Sequence, residues 1–360
     1  MKRLRPILIL PSLLMLAANA AAQISLTPPP AEKPAESKPA TKKETAKAKP
    51  LAPAKKLPSP VPNPEPPQAP PAATVIPAPA PDNPNADLVY GAYQRGLYKT
   101  AFDLALPRAQ AGDTKAMTML GELYANAMGV KRDYAKSIDW YKRASDGGDR
   151  EAMFALAMLR LGGRGGPVDR EAAVKLLASS AKLGEPKAAY NLALLYLDGQ
   201  TLPQDLKRAA ELLRLAADAG NPEAQYALAT FYKEGTGVEK DIEKSVRLLQ
   251  AASLADNLDA EVEYAIALFN GTGTPKNQAA AVALLRKAAR QNSAIAQNRL
   301  ARVLVSGIGV PMDKIEGLKW HLVAKTAGKG DPELDEALAQ LSPEDRAKVD
   351  AAARRWLGTK

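Results

Sequence analysis

The sequence predicts an all-α protein, a right-handed α-solenoid of helix-turn-helix repeats of 36 residues preceded by a disordered, proline-rich segment. Three columns carry that prediction. Alanines stand at Ala116, Ala152, Ala188, Ala224, Ala260 and Ala296, each 36 residues after the last. Asp133, Asp169, Asp205, Asp241, Asn277 and Asp313 keep the same spacing. So do Gly112, Gly148, Gly184, Gly220, Asp256, Asn292 and Gly328, and no insertion breaks the period.

Each column has a structural task. Gly, Asp and Asn tolerate the left-handed backbone that ends a helix. The residues that follow, Asp113, Asp149, Glu185, Asn221, Asn257 and Ser293, are placed to cap the next helix, and Pro186 and Pro222 occupy its first position. The Asp133 column caps the second helix of each unit in the same way. Between the helices Gly-x-Gly recurs at Gly163, Gly235, Gly271 and Gly307, whereas the first and third units carry Ala127 and Thr201 at one of the two places. Ala224, Leu228, Phe231 and Tyr232 form one apolar stripe of helical period, and Ser245, Leu248, Leu249 and Ala252 form another. One hairpin cannot cover its own stripe, so the units must stack.

The segmentation follows from the period. Residues 112–328 hold six repeats, residues 85–111 an N-terminal helix pair with a short turn around Gly96, and residues 329–360 the C-terminal capping helices. After Gly328 the pattern slips by two residues. Ser342-Pro343-Glu344 then supplies an N-cap, a first-turn proline and an acid to open a last helix, expected to run to about Trp356.

Residues 1–22 read as a signal peptide: a basic Met1–Arg5, an apolar Ile7–Leu16, and small residues that set cleavage after Ala20 or Ala22. Pro11 interrupts a run already shorter than the ~20 residues a membrane span needs. The expectation is an exported protein in the periplasm, with full secretion as the alternative. Residues 23–84 form a Pro/Ala/Lys-rich linker. Eighteen of the thirty prolines fall between Ile24 and Asn83, with no Phe, Trp or Tyr among them. Such a stretch buries too little to offset the entropy of ordering, and its prolines favour an extended spacer. It is a plain tether or a basic arm that makes weak contact with cell wall or membrane surface.

The net charge of +10 sits mostly in leader and linker, which argues against a nucleic-acid partner. Zero cysteine excludes disulfides, thiolate metal sites and Cys nucleophiles, and one histidine excludes a His-rich metal site. No cofactor is expected.

Ala116, Leu120-Gly121, Tyr124, Gly129-Val130, Asp133, Lys136-Ser137, Trp140-Tyr141, Ala144 and Gly148 together display a pattern that resembles the Sel1-like repeat family. The resemblance spans Gly112 to Gly328. Arg160 in the Tyr124 column, Asn277 in the Asp column, and leucine in place of tryptophan in the middle units depart from it. It implies a relative of tetratricopeptide arrays, which assemble protein complexes, several of them in bacterial envelopes and signalling, and it implies no shared catalytic residue. A leader before such repeats is also similar to secreted regulators that restrain sensor kinases controlling exopolysaccharide.

Other candidates resolve into structure. Gly162–Gly166 lacks the preceding strand and following Lys-Ser or Lys-Thr of a phosphate loop. His321 has no patterned Ser or second His. The repeated aspartates lie one solenoid turn apart, about 10 Å, beyond the usual reach of paired glycosidase acids. The remaining surface is the concave face expected of the first helices. Placing the Leu120 and Tyr124 columns in the core directs Thr118, Phe154, Tyr190, Tyr226, Val262 and Asn298 towards it, with Glu122, Met158, Leu194, Thr230, Ile266 and Arg302 one turn on. The candidate binding residues are therefore Phe154, Met158, Tyr190, Leu194, Tyr226 and Ile266, an apolar strip with polar ends. These side chains could instead fill contacts between units. The functional expectation is a non-catalytic scaffold or adaptor for a protein or peptide partner in the cell envelope; the alternatives are a regulator bound to a sensor kinase and an envelope hydrolase, the last without any supporting constellation.

Overall fold

Every regular element of residues 87–358, the part described in the computed structural model, is a helix. The expected leader (1–22) and linker (23–84) lie outside the described residues. The N-terminal pair is α1 (Leu88–Gln94) and α2 (Tyr98–Gln110). Six pairs follow: α3 (Thr114–Asn126) with α4 (Tyr134–Asp146), α5 (Arg150–Leu161) with α6 (Arg170–Lys182), and α7 (Pro186–Asp198) with α8 (Leu206–Asp218). Then come α9 (Pro222–Glu234) with α10 (Ile242–Leu254), α11 (Leu258–Asn270) with α12 (Gln278–Arg290), and α13 (Ala294–Ser306) with α14 (Lys314–Thr326). Two helices close the array, α15 (Pro332–Ala339) and α16 (Pro343–Gly358). Through the repeats each helix packs on its neighbours in sequence, while α16 folds back onto α14.

The capping columns work throughout. Asp149 Oδ1 accepts from the Ala152 amide at 2.8 Å, and Asn221 Oδ1 from Ala224 at 2.7 Å. Asp133, Asp169, Asp205, Asp241, Asn277 and Asp313 each accept from a first-turn amide of the second helix. Between units, Asp256 (φ 60°) and Asn292 (φ 70°) take the left-handed backbone that glycine supplies elsewhere in their column. Ala127 does so as well at φ 57°, an uncommon state for alanine.

The second glycine of Gly-x-Gly answers to contact as well as conformation. A Cβ at Gly237 would lie 2.3 Å from the carbonyl oxygen of Leu206, because this turn seats on the start of the preceding unit's second helix. In the third unit Thr201 occupies that place without a left-handed backbone, so its loop follows a different path.

The cores are small residues set against leucines. Ala144, Ser180, Ala216, Ala252, Ala288 and Ala324 form one fully buried column, which lets adjacent helices approach closely. Leu177, Leu213, Leu249 and Leu285 form another, facing Ala157, Ala193, Ala229 and Ala265 within their units. The first unit has Tyr141 in the leucine place and Gly121 opposite. A Cβ on Gly121 would come within 2.6 Å of the Tyr141 ring, so the larger ring and the missing methyl compensate each other. The sixth unit has His321 there.

Candidate functional site

The strip lies on the first helices α5, α7, α9 and α11, and all six of its residues are half-buried. Phe154 and Tyr190 rest one side against the core of the second, third and fourth units, Tyr226 against a smaller cluster around Leu249, and Ile266 against the C-terminal core. Val262, in the same column as the tyrosines, is fully in the core. The strip therefore both packs and faces outward, and at Val262 it only packs.

The two tyrosines also meet carboxylates. Tyr226 Oη donates to Glu263 Oε1 at 3.1 Å, and Lys233 Nζ reaches Glu263 Oε2 at 3.0 Å, so the fourth and fifth units are tied across their first helices. Burial, then Glu263 and Asp259, pushes the Tyr226 phenol far above its ordinary range. Burial and Glu223 push Tyr190 in the same direction. Asp259 is raised above the usual carboxylate range by burial, with Glu263 nearby adding to it. At neutral pH these phenols are protonated hydrogen-bond donors, and nothing about them makes a nucleophile.

The polar ends of the strip are closed by the chain itself. Glu122 accepts hydrogen bonds from Tyr93 Oη (3.4 Å) on α1, Tyr141 Oη (3.3 Å) on α4, and Asn126 Nδ2 (3.1 Å). At the other end the buried carboxylate of Asp331 accepts from Asn298 Nδ2 at 3.3 Å and from Arg302 Nε. Asp331 precedes α15 yet makes no side-chain cap to it; its Oδ2 is turned to α13.

The other sequence candidates fall into structural places. Gly162–Gly166 is the turn between α5 and α6, with Gly163 and Gly165 left-handed. The repeated aspartates are held by amides of their own helices. His321 is fully buried, its Nε2 2.9 Å from Asp335 Oδ1, and Lys325 Nζ lies 2.6 Å from the same oxygen. It joins the last repeat to the capping helices. Among the described residues no group of His, Asp or Glu is arranged to hold a metal ion, and no helix is long and apolar enough to cross a membrane.

Sequence reasoning missed the closed ends of the strip and also an open groove of about 540 Å³ where the α9–α10 turn lies over α8. Its walls combine residues of two units, so no single repeat displays it. Comparing cation content column by column across units is the signal that could have found it.

The geometry is that of a helical-repeat interaction fold. The Sel1 repeat model matches six consecutive windows, residues 114–149, 150–185, 186–221, 222–257, 258–293 and 294–329. The chain belongs to the Sel1-repeat family. Its structure is similar to that of a protective antigen of uropathogenic Escherichia coli with an SLR fold, at TM-score 0.65 and 24% identity over 74% of this chain and 60% of that one. The chain thus spans less than two thirds of that antigen's length. It is also similar to a Sel1 repeat protein from Oxalobacter formigenes, at TM-score 0.59 and 25% identity over 66% of this chain and 98% of the other. No protein with a curated description matches it. Sel1-repeat proteins are generally protein-interaction scaffolds and typically non-catalytic.

Proposed function

We propose that this protein is a non-catalytic periplasmic scaffold or adaptor that holds a segment of a protein partner along its first-helix face. One observation carries the reading. Phe154, Tyr190 and Tyr226 stay half-exposed in the middle units, while the polar ends of the same strip are bridged by Tyr93 and Asp331 of the protein's own terminal elements. Large, stiff aromatic side chains with one free side supply contact area at low entropic cost, and interface hot spots are rich in them. The basic-apolar-small order of residues 1–22 supports export, and the proline-rich linker supports a tether that holds the array at a distance.

The test is the double variant Tyr190→Ala with Tyr226→Ala, used as bait in envelope crosslinking with mass-spectrometric identification. The expected result is at least a five-fold loss of the partner that the unchanged protein captures, with helical circular dichroism unaltered. Unchanged capture, or a collapse of helicity, contradicts a binding role for the strip. A sensor-kinase ectodomain as the captured species directs the reading towards signalling control, and a structural envelope protein directs it towards scaffolding. Cell fractionation of the tagged full-length protein tests the location: recovery in the cytoplasm with the leader intact contradicts it.

A further inference from the structure

We propose that the groove between the third and fourth units is a second binding site, separate from the first-helix face, that takes a carboxylate of a protein partner, supplied by an Asp or Glu residue or by a free C-terminus. At about 540 Å³ it falls within the size range of pockets that hold small ligands or single side-chain groups. Its cations are Lys207 and Arg214 on α8, Lys240 in the turn after α9, and Lys244 on α10.

Charge accounting leaves part of that set unused. Of the wall's own carboxylates, Glu211 lies 2.7 Å from Arg208. Asp241 caps α10 and lies 3.0 Å from Lys244. Glu239 alone remains against Lys207, Arg214 and Lys240, which make no ion pair among the described residues. Arg214 Nη2 donates to Tyr232 Oη at 2.9 Å, which fixes one edge of the guanidinium and leaves its remaining N–H groups to a ligand.

The repeat supplies an internal control. Residues 36 apart occupy equivalent places, so the fold would show the same cations at every seam if it needed them. The seam before carries Glu171, Ala178 and Gln204 in the places of Lys207, Arg214 and Lys240. The seam after carries Glu243, Gln250 and Lys276. No other seam has cations in all three places. The set is therefore a local feature laid over a common scaffold.

The chemistry selects the occupant. A planar guanidinium held on one side by a hydroxyl matches a planar carboxylate in two-point contact. A dense polyanion such as polyphosphate or nucleic acid would meet Glu211, Glu239 and Asp241 in the same wall, and like charges at close range repel.

The test uses the isotope-labelled mature full-length protein, followed by amide chemical shifts. Three probes are titrated: an end-blocked heptapeptide with one central Glu, the same peptide with Gln, and an acid-free heptapeptide with a free C-terminus. The Glu peptide, the free-carboxylate peptide or both are expected to give saturable shifts at Lys207, Arg214, Tyr232 and Lys240, and whichever binds identifies the source of the carboxylate. The Gln peptide is expected to bind at least five-fold more weakly. Lys207→Gln with Arg214→Gln and Lys240→Gln, all exposed positions, should weaken the active probe at least five-fold without changing helicity. Tyr190→Ala with Tyr226→Ala should leave it unchanged, so failure of one site does not carry the other with it. Binding of the Gln peptide as tight as that of the active carboxylate probe, absence of binding by both carboxylate probes, indifference to the triple variant, tighter binding of inorganic phosphate than of the active probe, or shifts that appear on concentrating the protein alone would each overturn the proposal.

Discussion

The interior and terminal repeats solve the same packing problem with different chemistry. In the second to fifth units the central place of the second helix is leucine, at Leu177, Leu213, Leu249 and Leu285, opposite an alanine, so that place carries no polar group. At the ends that place becomes Tyr141 or His321, and the Tyr141 hydroxyl and His321 Nε2 find partners on the first helix and on a terminal element. Tyr141 shares Glu122 with Tyr93 of α1, and His321 meets Asp335 of α15. An interior unit needs only to fit copies of itself. A terminal unit must also hold a non-repeating helix, and directional hydrogen bonds specify that neighbour where generic apolar packing would accept several.

Exchanging interior and terminal solutions tests this contrast, and the largest effect is expected at Gly121. Gly121→Ala places a methyl against the Tyr141 ring and should cost about 2 kcal/mol of stability by overpacking. Adding Tyr141→Leu recreates the interior pair and should recover most of that loss in a denaturant-unfolding cycle. Simple additivity of the two losses would show that the residues are not a matched pair.

Alkali should test the N-terminal closure next, through the difference that Tyr93→Phe makes, because Tyr190 and Tyr226 of the interior are raised as well. Burial, reinforced by Glu122, pushes Tyr93 up to about 12, and Tyr141 is raised by the same causes. Phenols in the unfolded state ionise at about 10, so the unfolded state releases protons first. The stabilisation is complete below that value and is lost as pH rises through the folded values. The urea midpoint should fall between about pH 10 and pH 12, and less in Tyr93→Phe. An unchanged midpoint would argue against closure of the N-terminal end by these hydroxyls. The smallest effect is expected at the first unit's turn, where alanine occupies a glycine place: Ala127→Gly should stabilise by about 1 kcal/mol, and a loss of stability would mean that the left-handed state carries no cost there.

The periodic parts of this molecule were legible because local chemistry dictates them. A capping carboxylate, a left-handed residue and an apolar stripe each act within one helix or one turn, so Asp133, Asn292 and Leu228 declare their roles within a few residues of sequence. Placement of the candidate strip on the first helices followed from the same period. Exposure within it did not, since whether Val262 is covered while Tyr226 stays half-open depends on what the next unit places beside it. The closed ends were unreadable for a similar reason. Asp331 looks like an ordinary cap before Pro332, and only the folded protein shows its carboxylate turned to Asn298 and Arg302. The basic groove needs Lys207 and Lys240 from two units, and neither stands out from the exposed lysines around it.

Removing one repeat tests the stack of exchangeable units most directly. Deletion of residues 186–221 joins Glu185 to Pro222, which preserves the Glu-Pro start that α7 already uses and keeps every column in phase. The expected product is a soluble protein with the same helicity per residue, cooperative unfolding and a lowered urea midpoint. Loss of cooperative unfolding, or aggregation of a protein shortened by that one period, would contradict the exchangeability of the units.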